Sequence, residues 1–136
     1  MYSKYNNILK NLTIVIPSYN RQSYLIRTIK YWSDKKVKII ILDGSKNSLK
    51  KKIKITSKNI TYIHNPVGLY SRLLSSSKKV KTKYVMLGCD DEFYIPSALE
   101  KCLRYLSLKK DYGCCTGRAL GFNYKDGKVY GYSQYS

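Results

Sequence analysis

The sequence predicts an α/β fold: a mostly parallel central sheet flanked by helices, with a C-terminal β-hairpin. Three observations carry that expectation. Short apolar runs alternate with stretches of helical periodicity, the pattern of a sheet covered by helices. The connections between them are short, which suits right-handed crossovers between parallel strands. Near the C-terminus, FNYKDGKVYGY sets Asp126–Gly127 between aromatic-rich arms, a hairpin signal. A length of 136 residues is that of one domain, so residues 1–136 are read as a single domain.

The elements follow in order. Leu12–Ile16 (LTIVI) is an apolar run stopped by Pro17, as expected of a strand buried on both faces. Over 21–33, Leu25, Ile29 and Trp32 recur at helical spacing. Val37–Leu42 (VKIIIL) is a second buried strand, closed by the turn residues Asp43, Gly44 and Ser45, and a short basic helix is expected to run on to about Ile53. Ile60–His64 is a third strand, and Leu69, Tyr70, Leu73 and Leu74 mark a helix after Asn65–Pro66. Lys83–Leu87 is a fourth strand. Pro96 and Ser97 open a helix lined by Leu99, Cys102, Leu103 and Leu106, where Ser97 and Glu100 fit a capping box. Cys114–Phe122 is expected to be a strand leading into the hairpin.

Composition excludes several classes. A hydrophobic content of 43% supports a core and sets aside disorder. No apolar run approaches the roughly 20 residues of a membrane-spanning helix. MYSKYNNILK lacks the apolar centre of a secretory signal, and a cytoplasmic location is expected. Cys89, Cys102, Cys114 and Cys115 show no CxxC spacing, and with His64 the single histidine there is no soft-metal site to propose; free thiols in a reducing compartment are expected. His64 has no acidic or serine partner in sequence and is read as structural.

The formal charge of +18 raises nucleic acid as a partner. Lysine far outnumbers arginine, however, and the chain is rich in Lys, Ile, Asn and Tyr, residues of AT-rich codons, so base composition alone can supply much of that charge. The dense run from Lys46 to Lys58 reads either as a solvated face or as contact with an anionic partner. Nucleic acid is the remote reading.

Against this basic background, Asp90, Asp91 and Glu92 stand side by side in LGCDDEF. Adjacent like charges repel, so a positive partner from outside the chain is expected to neutralise them. Ligands of parallel sheets bind beyond the carboxyl ends of the strands. Segments 18–21, 43–45, 65–68 and 89–92 each follow a strand and should share one crevice. Carboxylates there, with phosphates of a substrate, suit Mn2+ or Mg2+. Asp43 could accept a hydrogen bond from a base or ribose, or simply hold a turn. Tyr19 could stack on a base. Arg72 should point off the apolar face of its helix, either toward a pyrophosphate or into solvent.

LTIVIPSYNR, IIILDGS, YIHNPVGLYSRL and KYVMLGCDDEFYIPSALEKCL, in that order, resemble the nucleotide-sugar-binding half of family 2 glycosyltransferases, which have the Rossmann-like GT-A fold. The resemblance runs from Leu12 to about Phe122, with Gly117–Arg118 as its continuation. It implies a nucleoside-diphosphate sugar donor, in first place a UDP-sugar, and an acceptor hydroxyl of unspecified chemistry. Pro17, Tyr19, Asn20 and Arg21 fall in the donor-binding first motif, with Pro17 and Tyr19 lining the base. Asp43 matches the acid that contacts uracil, and Gly68 and Arg72 the segment approaching the diphosphate. Asp91 falls on the last acid of a D-x-D motif, the metal ligand, with Asp90 near the ribose and Glu92 as a further acid for the metal. Cys89 stands where many members have the first Asp.

An inverting transferase also needs a carboxylate base. The acids after Glu92 are Glu100, Asp111 and Asp126, and none matches the family's base; Asp126 is the one weak candidate. The acceptor-binding half is expected to be missing. A truncated transferase, a compact enzyme that recruits its base, and a donor-binding module without transfer activity all remain open.

Overall fold

The structure, a computed structural model, describes residues 5–49 and 54–135. They fall into two compact units, divided between Tyr94 and Ile95. In the first, a 3-10 helix (Tyr5–Asn11) leads into β1 (Leu12–Ser18), α1 (Gln22–Trp32), β2 (Lys38–Asp43), β3 (Ile60–His64), α2 (Leu69–Ser77) and β4 (Tyr84–Leu87). The four strands make one parallel sheet in the order β3-β2-β1-β4. This is the α/β architecture expected from the sequence.

The two central strands are apolar on both faces because both faces are covered. Val15, Ile40 and Leu42 form a buried cluster with Ile63, Val80 and Leu73 of α2. Ile14, Ile16, Ile39 and Ile41 alternate with them along the strands and are fully buried as well. Leu25, Thr28, Ile29 and Trp32 are the buried stripe of α1.

β1 runs past the expected stop at Ile16 to Ser18. The ladder to β4 ends where Leu87 meets Val15, whereas β2 continues alongside to Ser18 opposite Asp43. Pro17 therefore lies where β1 has a strand on one side only, a position that tolerates a missing N–H. The short basic helix expected toward Ile53 is corrected for residues 46–48, which are not helical, whereas Leu49 is in 3-10 conformation; just ahead of them the Asp43 carboxylate accepts the Ser45 N–H at 2.9 Å, a local bond that competes with helix formation. The remainder of that expected helix, 50–53, lies outside the described residues.

At the amino edge of the sheet, side chains tie the strand lead-ins together. The Asn59 amide donates to the carbonyls of Trp32 (2.8 Å), Lys35 (2.9 Å) and Val37 (3.1 Å). Thr13 and Thr82 share a hydroxyl hydrogen bond of 2.6 Å.

The second unit holds α3 (Pro96–Leu108) and the antiparallel hairpin of β5 (Ala119–Lys125) and β6 (Lys128–Tyr135). The hairpin forms at the expected turn, with Asp126 (φ 50) and Gly127 (φ 77) both left-handed, as a type I′ turn requires. Its first strand starts later than expected, at Ala119 instead of Cys114. The capping box is not formed. Pro96 already occupies the first helical position, so the N-cap is Ile95 and Ser97 lies inside the helix; Glu100 instead pairs with Arg104 at 2.7 Å.

One side chain locks the carboxyl ends of β1 and β2. Arg72 of α2 donates through Nη1 to the carbonyls of Ser18 (2.8 Å) and Leu42 (2.7 Å), and through Nε to Val67 (3.1 Å). A Cβ at Gly44 would lie 2.5 Å from its Cζ, so glycine is what lets the guanidinium in. Gly44→Ala and Arg72→Leu should each lower stability to urea by about 2 kcal/mol. In the double variant the Cβ has room, and the combined loss should fall short of the sum.

Candidate functional site

The segments that follow the four strands meet at the carboxyl edge, as the topology requires. Gly44 N donates to Ser18 O (2.9 Å) and Asn65 N to Asp43 O (2.9 Å). Asn20 N donates to Ser45 Oγ at 2.8 Å. Asn20 is left-handed (φ 56), a conformation that Asn tolerates, and it turns the chain from β1 toward α1. Arg21, the residue just before that helix, reaches across to the acids after β4.

The three neighbouring acids are separated by their partners. Asp90 is buried; its Oδ2 accepts from Ser18 Oγ at 2.5 Å and its Oδ1 lies 3.1 Å from Arg21 Nη1. Thr28, on the buried stripe of α1, holds the Asp90 carbonyl at 3.0 Å. Asp91 is exposed, and its Oδ2 accepts from Arg21 Nη2 at 2.8 Å. Glu92 accepts a short hydrogen bond from the Tyr94 hydroxyl, which itself accepts the Cys89 N–H. Each acid thus has a partner within the chain. Arg21 bridges Asp90 and Asp91, and Tyr94 holds Glu92.

The titration behaviour follows from these contacts. The Arg21 hydrogen bond holds the Asp91 carboxyl below its ordinary range, and the same bond raises Arg21. Burial, then the bond to Glu92, pushes the Tyr94 phenol up. The Cys89 thiol is raised by loss of water around it and then by the charges of Glu92, Asp91 and Asp90. At neutral pH it remains a thiol, a poor metal ligand and a poor nucleophile.

Asp43 is fully buried. Its Oδ1 accepts from Ser45 N and its Oδ2 from the Tyr62 hydroxyl at 2.5 Å, and that hydroxyl accepts the Leu49 N–H at 2.8 Å. Burial and this bond push the Tyr62 phenol up, so it stays a donor to Asp43. His64 Nε2 meets the Ser45 carbonyl at 2.7 Å, a structural contact that fits the sequence reading. Arg72 neither points off its helix into solvent nor pairs with an acid; it is buried among carbonyls.

Tyr19 is 63% exposed beside this edge, whereas Pro17 is half-buried. Gly68 precedes α2, and a side chain there would meet nothing within 4 Å, so no steric demand fixes it as glycine. Asp126 is exposed at the hairpin turn of the second unit. Ser18, Thr28, Tyr62 and Tyr94 were not singled out by sequence. Thr28 had a signal, a polar residue on the apolar stripe between Leu25 and Trp32. Tyr94 had none among so many tyrosines.

Asp90 and Asp91 present hard oxygens to one positively charged group, and Arg21 supplies it. Among the described residues no three His, Cys, Asp or Glu side chains gather into a metal cage. A pair of carboxylates completed by substrate phosphates is nonetheless a common way to hold Mg2+ or Mn2+, and the donor set fits that arrangement.

The family model described as Glycosyl transferase family 2 matches residues 13–133, from the second residue of β1 into β6. No curated protein matches the chain.

Arg21→Gln removes the charge that depresses Asp91, so the Asp91 carboxyl should rise toward its ordinary 3.8, read from its side-chain carbon resonance against pH. The stability that this pairing adds is present above the unfolded carboxyl's value. It is lost as pH falls through the depressed folded value. The stability difference between the wild type and Arg21→Gln should therefore be full at neutral pH and close in acid.

Proposed function

The chain belongs to glycosyl transferase family 2, and from that premise we propose that it binds a nucleoside-diphosphate sugar, foremost a UDP-sugar, at the carboxyl edge of its sheet for transfer to an acceptor hydroxyl. Its role in glycosyl transfer follows from the family; donor, metal and residue roles are our reading. The observation that carries the reading is the convergence of Asp90 and Asp91 on a single cationic group. A divalent ion, Mn2+ or Mg2+, held by Asp91 with help from Asp90 and Glu92 would act as a Lewis acid toward the departing diphosphate. Arg21, displaced from the carboxylates, would be free to take diphosphate oxygens with its planar fork.

Around that centre, exposed Tyr19 offers a stacking face for the base, with Pro17 and Asn20 shaping the wall beside it. Asp43 is where a uracil ring would be met. Because both its oxygens already accept protein hydrogen bonds, it serves either through a remaining lone pair or by fixing Ser45 and Tyr62. Gly68 leaves open space where α2 starts, beside the expected path of the diphosphate. Arg72 acts on that path indirectly, by holding the ends of β1 and β2.

A donor-binding module without transfer activity is the second reading. Among the acids after the donor residues, Glu100 is paired with Arg104, while Asp111 and Asp126 are exposed. Asp126 is the candidate for a recruited base.

Calorimetry with UDP should show Mn2+-dependent binding that Asp91→Ala abolishes. Absence of UDP affinity with or without metal would overturn the donor reading. Arg21→Gln should bind Mn2+ more tightly than the wild type when no nucleotide is present, since the competing guanidinium is gone. Turnover of UDP-, GDP- or dTDP-sugars would separate an enzyme from a binding module. Full transfer by Asp126→Asn would remove Asp126 as the base.

A further inference from the structure

The residues leading into each strand of the first unit carry a second pattern, on the edge opposite the donor site. Since β1 to β4 are all parallel, their lead-ins share the amino edge of the sheet. Lys10 is exposed just before β1. Lys35 and Lys36 precede β2, which opens with exposed Lys38. Exposed Lys58 stands before β3, and exposed Lys78, Lys79, Lys81 and Lys83 fill the link from α2 to β4. The Asn59 amide pins the second lead-in to the third, and the Thr13–Thr82 bond pins the fourth to β1. These lysines are therefore held as one array, not scattered along flexible links.

The acids are segregated the other way. Residues 1–94 contain Asp34, Asp43, Asp90, Asp91 and Glu92 as their acids. All but Asp34 lie at the carboxyl edge, and Asp34 is taken up by Lys35 at 2.9 Å. Neighbouring strands are roughly 5 Å apart, well within a Debye length of about 10 Å. The lysine charges thus add to one positive field along a single edge.

We infer that this lysine edge is a docking surface for an anionic phospholipid bilayer, seating the protein with its acidic donor edge turned away from the lipid. Three observations favour lipid over nucleic acid. The array is all lysine, a set of point charges suited to a diffuse negative surface, and it lacks the arginine forks that grip single phosphodiesters. Among the described residues, the Tyr84 and Tyr31 rings each have a lysine close by, with Lys83 Nζ 5.2 Å and Lys35 Nζ 4.4 Å from the ring centre, which competes with stacking of bases there. The array also spans the lead-ins of four adjacent strands, a spread of charge that suits an extended anionic surface. Each lysine close to such a surface strengthens binding by about fivefold.

Vesicle co-sedimentation tests this. The protein should bind phosphatidylcholine vesicles that contain phosphatidylserine, should not bind phosphatidylcholine alone, and should be released as salt rises. Replacing Lys78, Lys79, Lys81 and Lys83 by Gln should weaken binding by roughly 600-fold. Replacing Arg27 and Lys46 by Gln, both exposed in the same unit but outside the strand lead-ins, should change binding little beside the pair Lys78→Gln with Lys79→Gln. A second edge variant, Lys10→Gln with Lys36→Gln and Lys58→Gln, should repeat the first result. All seven edge lysines are exposed, and unchanged circular dichroism would show the fold intact. Equal loss in the edge and control variants would mean that net charge, not this edge, drives binding. No preference for phosphatidylserine would also overturn the proposal. So would tighter binding of a DNA or RNA oligonucleotide, lost in the same edge variants. UDP binding should be unaffected throughout, which keeps this result independent of the donor reading.

Discussion

The site depends on a buried guanidinium that is held by backbone carbonyls. Arg72 is 5% exposed, and its recorded partners are the carbonyls of Ser18, Leu42 and Val67. Burying a charge is costly unless hydrogen bonds offset it. Here the offset comes from carbonyls at the ends of two adjacent strands and in the loop after β3. In return those ends are held in register, and Gly44 stays free of a side chain. Without this brace, the loops that carry Asn20, Asp43 and Ser45 would have little to fix their spacing. α2 is thus both a cover for the sheet and the source of its clamp.

The first unit also divides its acids by environment. Asp43 is sealed under Tyr62 and Ser45 and works within the fold. Asp90 is half of each kind, fixed by Ser18 on one oxygen and turned to Arg21 with the other. Asp91 and Glu92 face water. That gradient from buried to exposed separates a rigid floor from groups able to change partners. The exposed Arg21–Asp91 pair is the sort of surface contact whose net strength is small, which suits the displacement proposed for Arg21.

Much of this was legible in the sequence. Buried runs such as IIIL and LTIVI marked the central strands, and Asp126–Gly127 marked the hairpin turn. The convergence of the strand-end segments followed from parallel topology alone. What stayed hidden depended on contacts between residues far apart in the chain. Periodicity placed Arg72 off the apolar face of α2, yet its long side chain reaches inward through the gap at Gly44. The acid triplet showed an excess of charge but not that Arg21 would offset it. The capping box at Ser97 matched a local pattern, but Pro96 had moved the helix start one residue earlier. These three misses came from side-chain reach or from a one-residue shift in an element boundary, below what spacing can resolve.

β1 lies between β2 and β4, so its two ladders form at very different times. Pairing with β2 needs only the crossover through α1, but Leu12 meets Tyr84 and Val15 meets Leu87. As the chain leaves the ribosome, one side of β1 stays open until Tyr84–Leu87 has been made. Parallel pairings of such separation are slow to form, and an open apolar edge invites pairing with another chain. Until Tyr84–Leu87 arrives, that side of β1 is open to pairing with other chains, a hazard that the finished sheet removes.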